Sequence, residues 1–244
     1  MKEVKAYFAK RFSGDINVRS VLVVENPNKV TPLVDGYDLL FLIISENRDL
    51  LNYTNYTSHY IKENYRIQER RIHPEGLEAW IVNGTNRSVI QWIIQGEILL
   101  DRETYLEGLR HRLLEFPQWM REQKLLIEFS MFLRTYLQSR DYLQEGHTLD
   151  AYSQILKALH HWARIVIIEA GIHPEVTVWS QVRRINAGVY KLYEELTLSK
   201  ETLEQRVELV LLASEFSAMS KMAACCTLLM RVLESRDTPW SAME

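Results

Sequence analysis

The stretch KVTPLVDGYDLLFLII, residues 29–44, ends in the most hydrophobic run of the N-terminal half of the chain. Every residue from Leu39 to Ile44 is apolar, and a short continuous apolar run predicts a strand that is covered on both faces. Asp38 lies at the start of this strand, and Asp35 lies three residues earlier. A carboxylate in that place is either held by backbone donors of the preceding turn or faces a cation in a site.

The composition is that of a soluble globular protein. The chain has 244 residues, 47% of them hydrophobic and 25% charged, which allows one large domain or two modest ones. A net charge of -3 disfavours an unspecific nucleic-acid binder. Cys225 and Cys226 are adjacent in a predicted helix, where they cannot readily form a disulfide, and this suits a reducing compartment. Because no apolar stretch is long enough to span a bilayer, we expect a cytoplasmic protein without a membrane partner.

The first half of the sequence favours strands. RSVLVV (19–24) and DLLFLIIS (38–45) are predicted strands, and residues 1–12 have the apolar spacing of a short helix. YTSHYI (56–61) and YRIQERRI (65–72) are predicted to form a hairpin that turns at residues 62–64.

Two short helices are predicted next. PEGLEAWIV (74–82) begins at Pro74 and ends before Gly84, which can adopt the left-handed cap conformation. RSVIQWIIQ (87–95) follows, with Thr85 or Asn86 as the N-cap. Free amides at this helix start, together with the guanidinium of Arg87, are candidates for binding a phosphate or carboxylate. An ordinary capped helix without a ligand has the same pattern, so both interpretations stay open.

From residue 102 onward the pattern is helical. Helical periodicity covers approximately residues 102–114, 121–138, 149–170, 176–196 and 200–234. Ile155, Leu159, Trp162 and Val166 recur on one face, which is typical of a bundle helix. The sequence therefore predicts an α+β protein, with a mixed sheet and flanking helices in residues 1–116 and an all-helical bundle in residues 117–244.

Three stretches carry a family resemblance. VLVVENPNKVTPLVDGYDLLFLII (21–44) resembles the core of the polymerase-beta-type nucleotidyltransferase fold, in which an Asp-x-Asp pair leads into the second strand. WIIQGEILLDR (92–102) resembles the end of that domain in the minimal and aminoglycoside nucleotidyltransferases, where a helix, a glycine and a short strand precede the linker. DAYSQILKALHHWARIVIIEAGIHPEVTVWSQV (150–182) is similar to their substrate-binding helical bundle.

The whole chain is similar to a bacterial group described as nucleotidyltransferase-like proteins. Longer members of that group continue into a winged helix, whereas this sequence ends at DTPWSAME, before such a segment. Regulation linked to DNA therefore has little support in this sequence, and no nucleic-acid partner is expected.

The resemblance implies a metal site with Asp38 as the retained ligand and catalytic carboxylate. Asp35 and Glu69 would be the further ligands. The motif is degraded, however, because Gly36 and Leu40 occupy the positions two residues before and after Asp38. Side chains alternate along a strand, so Asp38 lacks a carboxylate on its own face unless a bulge at Gly36 turns Asp35 round.

Each of these carboxylates also has a structural interpretation. Asp38 could cap a turn, Asp35 could form an Asx turn with Gly36, and Glu69 could lie on a solvated hairpin face. The Gly-Ser turn of the family is missing as well, since Glu25-Asn26-Pro27 occupies that region and proline removes a backbone donor.

The helical half offers a second set of candidates. His160, His161 and Arg164 occupy neighbouring helical positions and are candidates for binding substrate in a cleft between bundle and sheet domain. The resemblance implies that Glu169 is a general base. As metal ligands the adjacent histidines are poor, because they diverge by about 100° around the helix axis. The alternative is that these histidines are buried and bonded to backbone partners.

Two functions follow from these patterns. The favoured one is a nucleotidyltransferase-like module with weak or lost catalysis that binds a nucleotide, a small ligand or a protein partner, which could include a second copy of the chain. The alternative is an active enzyme that transfers a nucleoside monophosphate from a nucleoside triphosphate to a hydroxyl or amine. Mg²⁺ or Mn²⁺ is expected only for the alternative, and no other cofactor is predicted.

Overall fold

The computed structural model describes residues 1–26, 36–52, 56–84, 86 and 88–241. The chain divides into two compact units, Met1–Glu115 and Phe116–Glu244. The first unit contains a sheet with helices, and its elements in chain order are α1 (Lys2–Ser13), β1 (Val18–Glu25), β2 (Leu39–Ser45), α2 (Asp49–Asn52), β3 (Tyr56–Lys62), β4 (Tyr65–Ile72), α3 (Pro74–Asn83), α4 (Val89–Gln95), β5 (Glu97–Asp101), a 3₁₀ turn (Arg102–Thr104) and α5 (Tyr105–Glu115).

The described strands form one mixed sheet in the order β3-β4-β2-β1-β5. Strands β2 and β4 are parallel, and the other neighbouring strands are antiparallel. Every residue of the central strand β2 is buried, which confirms the prediction of a strand covered on both faces. On one face, Leu39, Phe41 and Ile43 pack in a core with apolar residues of α1. The predicted α+β class is therefore confirmed.

The predicted hairpin is also confirmed. Strands β3 and β4 pair from Tyr56 with Arg71 to Lys62 with Tyr65. The two residues between the strands, Glu63 and Asn64, have φ angles of 49° and 64°. Positive φ at both central positions is typical of the tight turns that match the twist of paired strands.

The helix pair after the hairpin matches the sequence prediction in part. Helix α3 starts at Pro74, and Gly84 follows its end in the left-handed conformation at φ 62°, as predicted. The predicted cap of α4 is wrong. Ser88 occupies the N-cap position instead, and Asn86 accepts a hydrogen bond from the Ser88 backbone N–H at 3.2 Å.

The second unit is helical throughout its regular elements. These are α6 (Gln118–Gln144), α7 (Thr148–Glu169), α8 (Val178–Ile185), α9 (Ala187–Leu198), α10 (Leu203–Cys225) and α11 (Thr227–Leu233). Two predicted single helices are each split. Asn186 is extended at φ -146° and caps α9 by accepting from the Val189 backbone N–H, which breaks the predicted helix 176–196. Cys226 interrupts the predicted helix 200–234.

The core of the second unit is built around α6 and α7. The predicted apolar face of α7, with Ile155, Leu159, Trp162 and Val166, is buried against aromatic residues of α6 such as Phe132. Such a face is what a bundle helix buries.

In the described part of the chain, no single helix is both long and apolar enough to cross a bilayer, although the bent pair α10 and α11 meets the same criteria when taken together.

Candidate functional site

Asp38 precedes β2 and is bonded to the neighbouring strand β4. Its Oδ2 accepts a hydrogen bond from the Arg66 backbone N–H at 2.8 Å and lies 3.5 Å from Arg66 Nε. The backbone N–H of Asp38 donates to the Arg66 carbonyl oxygen at 2.9 Å. A backbone donor thus holds the carboxylate, as one sequence interpretation expected. That interpretation placed the donor in the preceding turn, whereas the structure places it in β4.

Glu69 lies on β4 and is only 2% exposed, so its predicted place on a solvated hairpin face is wrong. Its carboxylate accepts hydrogen bonds from Arg71 Nε at 2.9 Å, from Arg11 Nη1 at 3.2 Å and from the Tyr60 hydroxyl at 2.7 Å. Burial raises the pKa of the Tyr60 hydroxyl well above its usual value, and the hydrogen bond to Glu69 contributes to the same shift. Two arginines and a tyrosine thus compensate the burial of this carboxylate.

Asp38 and Glu69 lie on opposite faces of the sheet. Glu69 pairs with Phe41, which packs against α1, and its own partner Arg11 also belongs to α1. Asp38 immediately precedes Leu39, another residue of the α1 face, and side chains alternate along a strand. Asp38 therefore points to the other face, where it meets Arg66.

The metal site that the resemblance implies requires carboxylates that converge on the same cations. Asp38 and Glu69 do not converge, and Asp35 lies outside the described residues. Within the part of the chain that the structure describes, no three histidine, cysteine, aspartate or glutamate side chains are grouped to hold a metal ion. The described carboxylates of the first unit thus do not fit a two-cation centre.

The face of the sheet that carries Glu69 has a pocket of about 800 Å³ between α1, α2 and the hairpin. Half of the residues in its wall are aromatic or basic, among them Tyr7, Tyr60, Arg11, Lys62 and Arg71, and Asp49 is a second carboxylate there beside Glu69. The ammonium of Lys62 lies 3.7 Å from the centre of the Tyr7 ring. Glu69 is at the inner wall, where its charge holds Arg11 and Arg71 in place.

The predicted anion site at the start of α4 is described only in part. Thr85 and Arg87 lie outside the described residues. Asn86 uses its side-chain oxygen for the Ser88 backbone N–H, and α4 has only 7 residues. The described part therefore shows a local turn at this helix start.

In the second unit, His161 and Arg164 meet on a residue that the sequence reasoning missed. His161 Nδ1 lies 2.7 Å from Glu128 Oε2, and Arg164 Nε donates to Glu128 Oε1. Burial alone would raise the pKa of Glu128, but the hydrogen bond from His161 and the charge of Arg164 outweigh it and hold that pKa below its usual range. Glu128 is thus an ionised, buried carboxylate that orients both side chains.

Lys124 lies one helical turn before Glu128 on α6 and is 6% exposed. Burial, and then the nearby charge of Arg164, lower the pKa of Lys124 to about 8, while Glu128 acts in the opposite direction. Lys124 and Glu128 form an i, i+4 pair of charged residues beside the apolar face of a long helix, and this spacing was the available sequence signal for them.

His160 and Glu169 are elsewhere in the bundle. His160 Nε2 accepts a hydrogen bond from Trp179 Nε1 at 3.2 Å, and the Trp179 ring stacks on Tyr193. Glu169 pairs with Lys221 of α10 at 3.0 Å and lines a pocket of about 450 Å³. The described hydrogen bonds and ion pairs thus join His161 and Arg164 to each other through Glu128, and leave His160 and Glu169 outside this cluster.

Comparison with known proteins agrees with the resemblance seen in the sequence. A family described as Nucleotidyltransferase-like matches residues 1–121, and one described as YgxA-like substrate binding domain matches residues 122–221. YgxA from Bacillus subtilis (strain 168) is 37% identical over 221 residues, which cover 91% of this chain and 74% of YgxA. The chain belongs to the nucleotidyltransferase-like family.

A solved structure supports the same assignment. The nucleotidyltransferase-like protein from Exiguobacterium sibiricum 255-15 is 32% identical and superposes with a TM-score of 0.84 over 100% of this chain and 83% of that chain. The family resemblance predicted from the sequence is thus confirmed. In this nucleotidyltransferase-like chain, the pocket beside Glu69 and the charged cluster around Glu128 are the two candidate sites.

Proposed function

We propose that this nucleotidyltransferase-like protein binds a nucleotide or another small ligand and has weak or lost transfer activity. The observation that carries the proposal is the placement of Asp38 and Glu69 on opposite faces of the sheet. Nucleotidyl transfer with two metal ions needs carboxylates on a common face, because the ions must neutralise the phosphates and activate the acceptor together. Here the Asp38 carboxylate bonds to the backbone of β4, and the Glu69 carboxylate is paired with Arg11 and Arg71.

The pocket beside Glu69 supports the ligand-binding part of the proposal. Its volume of about 800 Å³ is within the range of small-molecule sites, roughly 300–1,000 Å³. Tyr7 and Tyr60 offer rings on which a base can stack, and Arg11, Lys62 and Arg71 offer donors for phosphate oxygens. The chemistry of the wall thus suits an anionic ligand with an aromatic ring, such as a nucleotide.

The test is equilibrium binding of each of the common ribonucleoside triphosphates in EDTA and in millimolar Mg²⁺ or Mn²⁺. We expect saturable binding of at least one triphosphate that needs no metal and is unchanged in Asp38→Asn. Lys62→Glu reverses a charge in the pocket wall and should weaken binding at least tenfold. Lys10→Glu makes the same charge change on an exposed part of α1 outside the pocket and should leave binding unchanged.

Pyrophosphate release in the same samples separates this proposal from the active enzyme. Metal-dependent binding and pyrophosphate release that both disappear in Asp38→Asn would establish the enzyme and overturn the proposal. If no triphosphate shows saturable binding, the proposal that the protein binds a nucleotide is overturned. If Lys62→Glu binds triphosphate as tightly as the natural protein, the pocket beside Glu69 is not the binding site.

A further inference from the structure

Helix α10 carries large apolar side chains on its exposed face. Intervals of three or four residues place them along one side of the helix, and this apolar stripe consists of Leu209, Leu212, Phe216, Met219 and Met222. In that order they are 49%, 68%, 79%, 72% and 47% exposed. Val207, Val210 and Leu211 lie on the other side of α10 and are buried in the helical core. The helix is therefore apolar on two sides, and its own chain buries one of them.

The exposed apolar surface continues into α11. Cys226 separates the two helices, which are bent by 48° relative to each other. Met230 and Leu233 of α11 are 49% and 44% exposed, and Leu229 and Val232 are each 40% exposed. The stripe and α11 thus form one run of exposed apolar side chains at the end of the second unit's sequence.

The size of this surface matches that of a protein interface. The five side chains of the stripe expose the equivalent of about three whole large side chains, roughly 600 Å², and α11 adds roughly 300 Å². The largest apolar patch on a typical monomer is about 300–600 Å². A stable dimer buries about 800 Å² on each partner. The stripe and α11 together therefore provide the area that a dimer requires.

The stripe is complementary to itself. Leu212 lies four residues before Phe216 and Met219 lies three residues after it, while Leu209 and Met222 lie seven before and six after. If α10 of a second copy packs antiparallel on the stripe, a two-fold axis near Phe216 places Leu212 of one copy beside Met219 of the other. Antiparallel helices pack well through such rows, and a two-fold interface uses the same surface on both subunits.

The charges beside the stripe favour a protein over a lipid surface. Glu204, Glu208 and Glu215 are exposed on α10, and Lys221 is paired with Glu169 at 3.0 Å. Helices that lie on anionic membranes carry lysine and arginine on their polar face, so these glutamates oppose binding to such a membrane. A polar rim around an apolar centre is typical of protein interfaces.

We propose that a second copy of this chain docks on the apolar stripe of α10. The dimer has two antiparallel α10 helices at its centre, with Phe216 next to the two-fold axis, and α11 extends the contact at either end. Burial of the stripe removes its apolar area from water and supplies the free energy of association. The inference concerns the second unit and does not depend on ligand binding beside Glu69.

The first experiment is sedimentation velocity of the full chain from low to high micromolar concentration. We expect a dimer that dissociates on dilution. Phe216→Glu and Met219→Glu place a charge at the centre of the interface and should each raise the dissociation constant at least a hundredfold. Both side chains are more than 70% exposed, so the monomer should keep its fold, which circular dichroism checks. Ile16→Glu is the matched control, because Ile16 is 86% exposed and belongs to the first unit.

A cross-linking experiment tests the antiparallel arrangement. In a chain with Cys225→Ser and Cys226→Ser, the pair Leu212→Cys and Met219→Cys is seven residues apart on one helix, too far for a disulfide within the chain. Mild oxidation with copper phenanthroline should therefore give a covalent dimer with the pair and none with either cysteine alone.

Three results would overturn the proposal. The natural chain could be monomeric at every concentration, or its dimer could persist unchanged in Phe216→Glu and Met219→Glu. The third result is a monomer that binds phosphatidylglycerol vesicles through the stripe, with binding lost in Phe216→Glu, because the stripe would then face lipid. Triphosphate binding is measured separately, so failure of the dimer leaves the proposed function standing.

Discussion

Asp38 and Arg66 are joined by two hydrogen bonds, one from the Arg66 backbone N–H to Asp38 Oδ2 at 2.8 Å and one from the Asp38 backbone N–H to the Arg66 carbonyl oxygen at 2.9 Å. Together these bonds connect the start of β2 to the start of the parallel strand β4. The side chain of Asp38 therefore completes the strand pairing at a point where β4 would otherwise leave a backbone donor without an acceptor.

Replacing Asp38 by alanine should destabilise the protein by about 0.5–1.5 kcal/mol, because the Arg66 backbone N–H loses its acceptor in a partly buried place. Asp38→Asn should lose less, since the amide oxygen can still accept. The measurement is urea unfolding in EDTA. Asp141→Ala, which removes an exposed carboxylate beside Arg140, should change stability by less than about 0.5 kcal/mol. A loss in Asp38→Ala that appears only when Mg²⁺ is present would argue against the structural role.

Local sequence patterns predicted those features of the fold that depend on neighbouring residues. The continuous apolar run of β2, the hairpin with Glu63 and Asn64 at its turn, and the left-handed Gly84 all follow from local chemistry. The splits at Asn186 and Cys226 were missed, because helical periodicity continues across both breaks. From the sequence alone, an asparagine such as Asn186 can lie inside a continuous helix or cap the start of a new one, so the break is not predicted.

The candidate sites were less predictable because their contacts are distant in sequence. Arg11 is 58 positions from Glu69, and Arg164 is 36 positions from Glu128. Periodicity gives the face on which a residue lies, but it does not give the register between two elements. The burial of Glu69 depended on α1 covering that face of the sheet.

Gly96 between α4 and β5 should tolerate no side chain. A Cβ atom there would lie 2.5 Å from the Trp92 carbonyl oxygen, 2.8 Å from a methyl carbon of Leu22 and 3.2 Å from the Val23 carbonyl oxygen. Two of these atoms belong to the backbone and cannot move aside cheaply. We expect Gly96→Ala to cost about 2–3 kcal/mol in urea unfolding, as overpacked cores do.

Gly108 in α5 is the matched control, because a Cβ there would meet no atom within 4 Å. Gly108→Ala should stabilise the protein by about 0.5–1 kcal/mol, since alanine restricts the unfolded chain and favours the helix. Equal stability changes in the two variants would show that the close approach of β1 and α4 to Gly96 is not present in solution.

The adjacent cysteines should differ in reactivity. Cys225 is buried, and burial, followed by the charge of Glu169, raises the pKa of its thiol to about 12. Cys226 is half-buried. Because the thiolate is the reactive form, iodoacetamide at pH 8 should alkylate Cys226 and leave Cys225 unmodified in the folded protein.

Mass spectrometry of the intact protein and of its peptides measures the sites of alkylation. Cys226→Ser should abolish labelling under native conditions, and both thiols of the natural sequence should react in denaturant. Labelling of Cys225 in folded Cys226→Ser at a rate close to that in denaturant would contradict the burial of its thiol against the helical core.

Lys124 should make the stability of the protein depend on alkaline pH. Its pKa in the folded protein is about 8, below the ordinary value of 10.5, so the folded chain releases this proton before the unfolded chain does. Below pH 8 both states hold the proton and folding bears the full cost of burying the charge, at most about 3 kcal/mol for a shift of this size. Between pH 8 and 10.5 the unfolded chain binds more protons, so the contribution of Lys124 to stability improves as pH rises.

Lys124→Met keeps a long side chain and removes the charge. We therefore expect the natural protein to gain up to about 3 kcal/mol of stability relative to the variant as pH rises from 7 towards 10.5. Urea unfolding of both proteins across this range measures the difference.

Lys157→Met, which removes an exposed lysine of α7, should show no such change with pH. If the difference in stability between the two proteins stays constant from pH 7 to 10.5, the pKa of Lys124 is not lowered by burial.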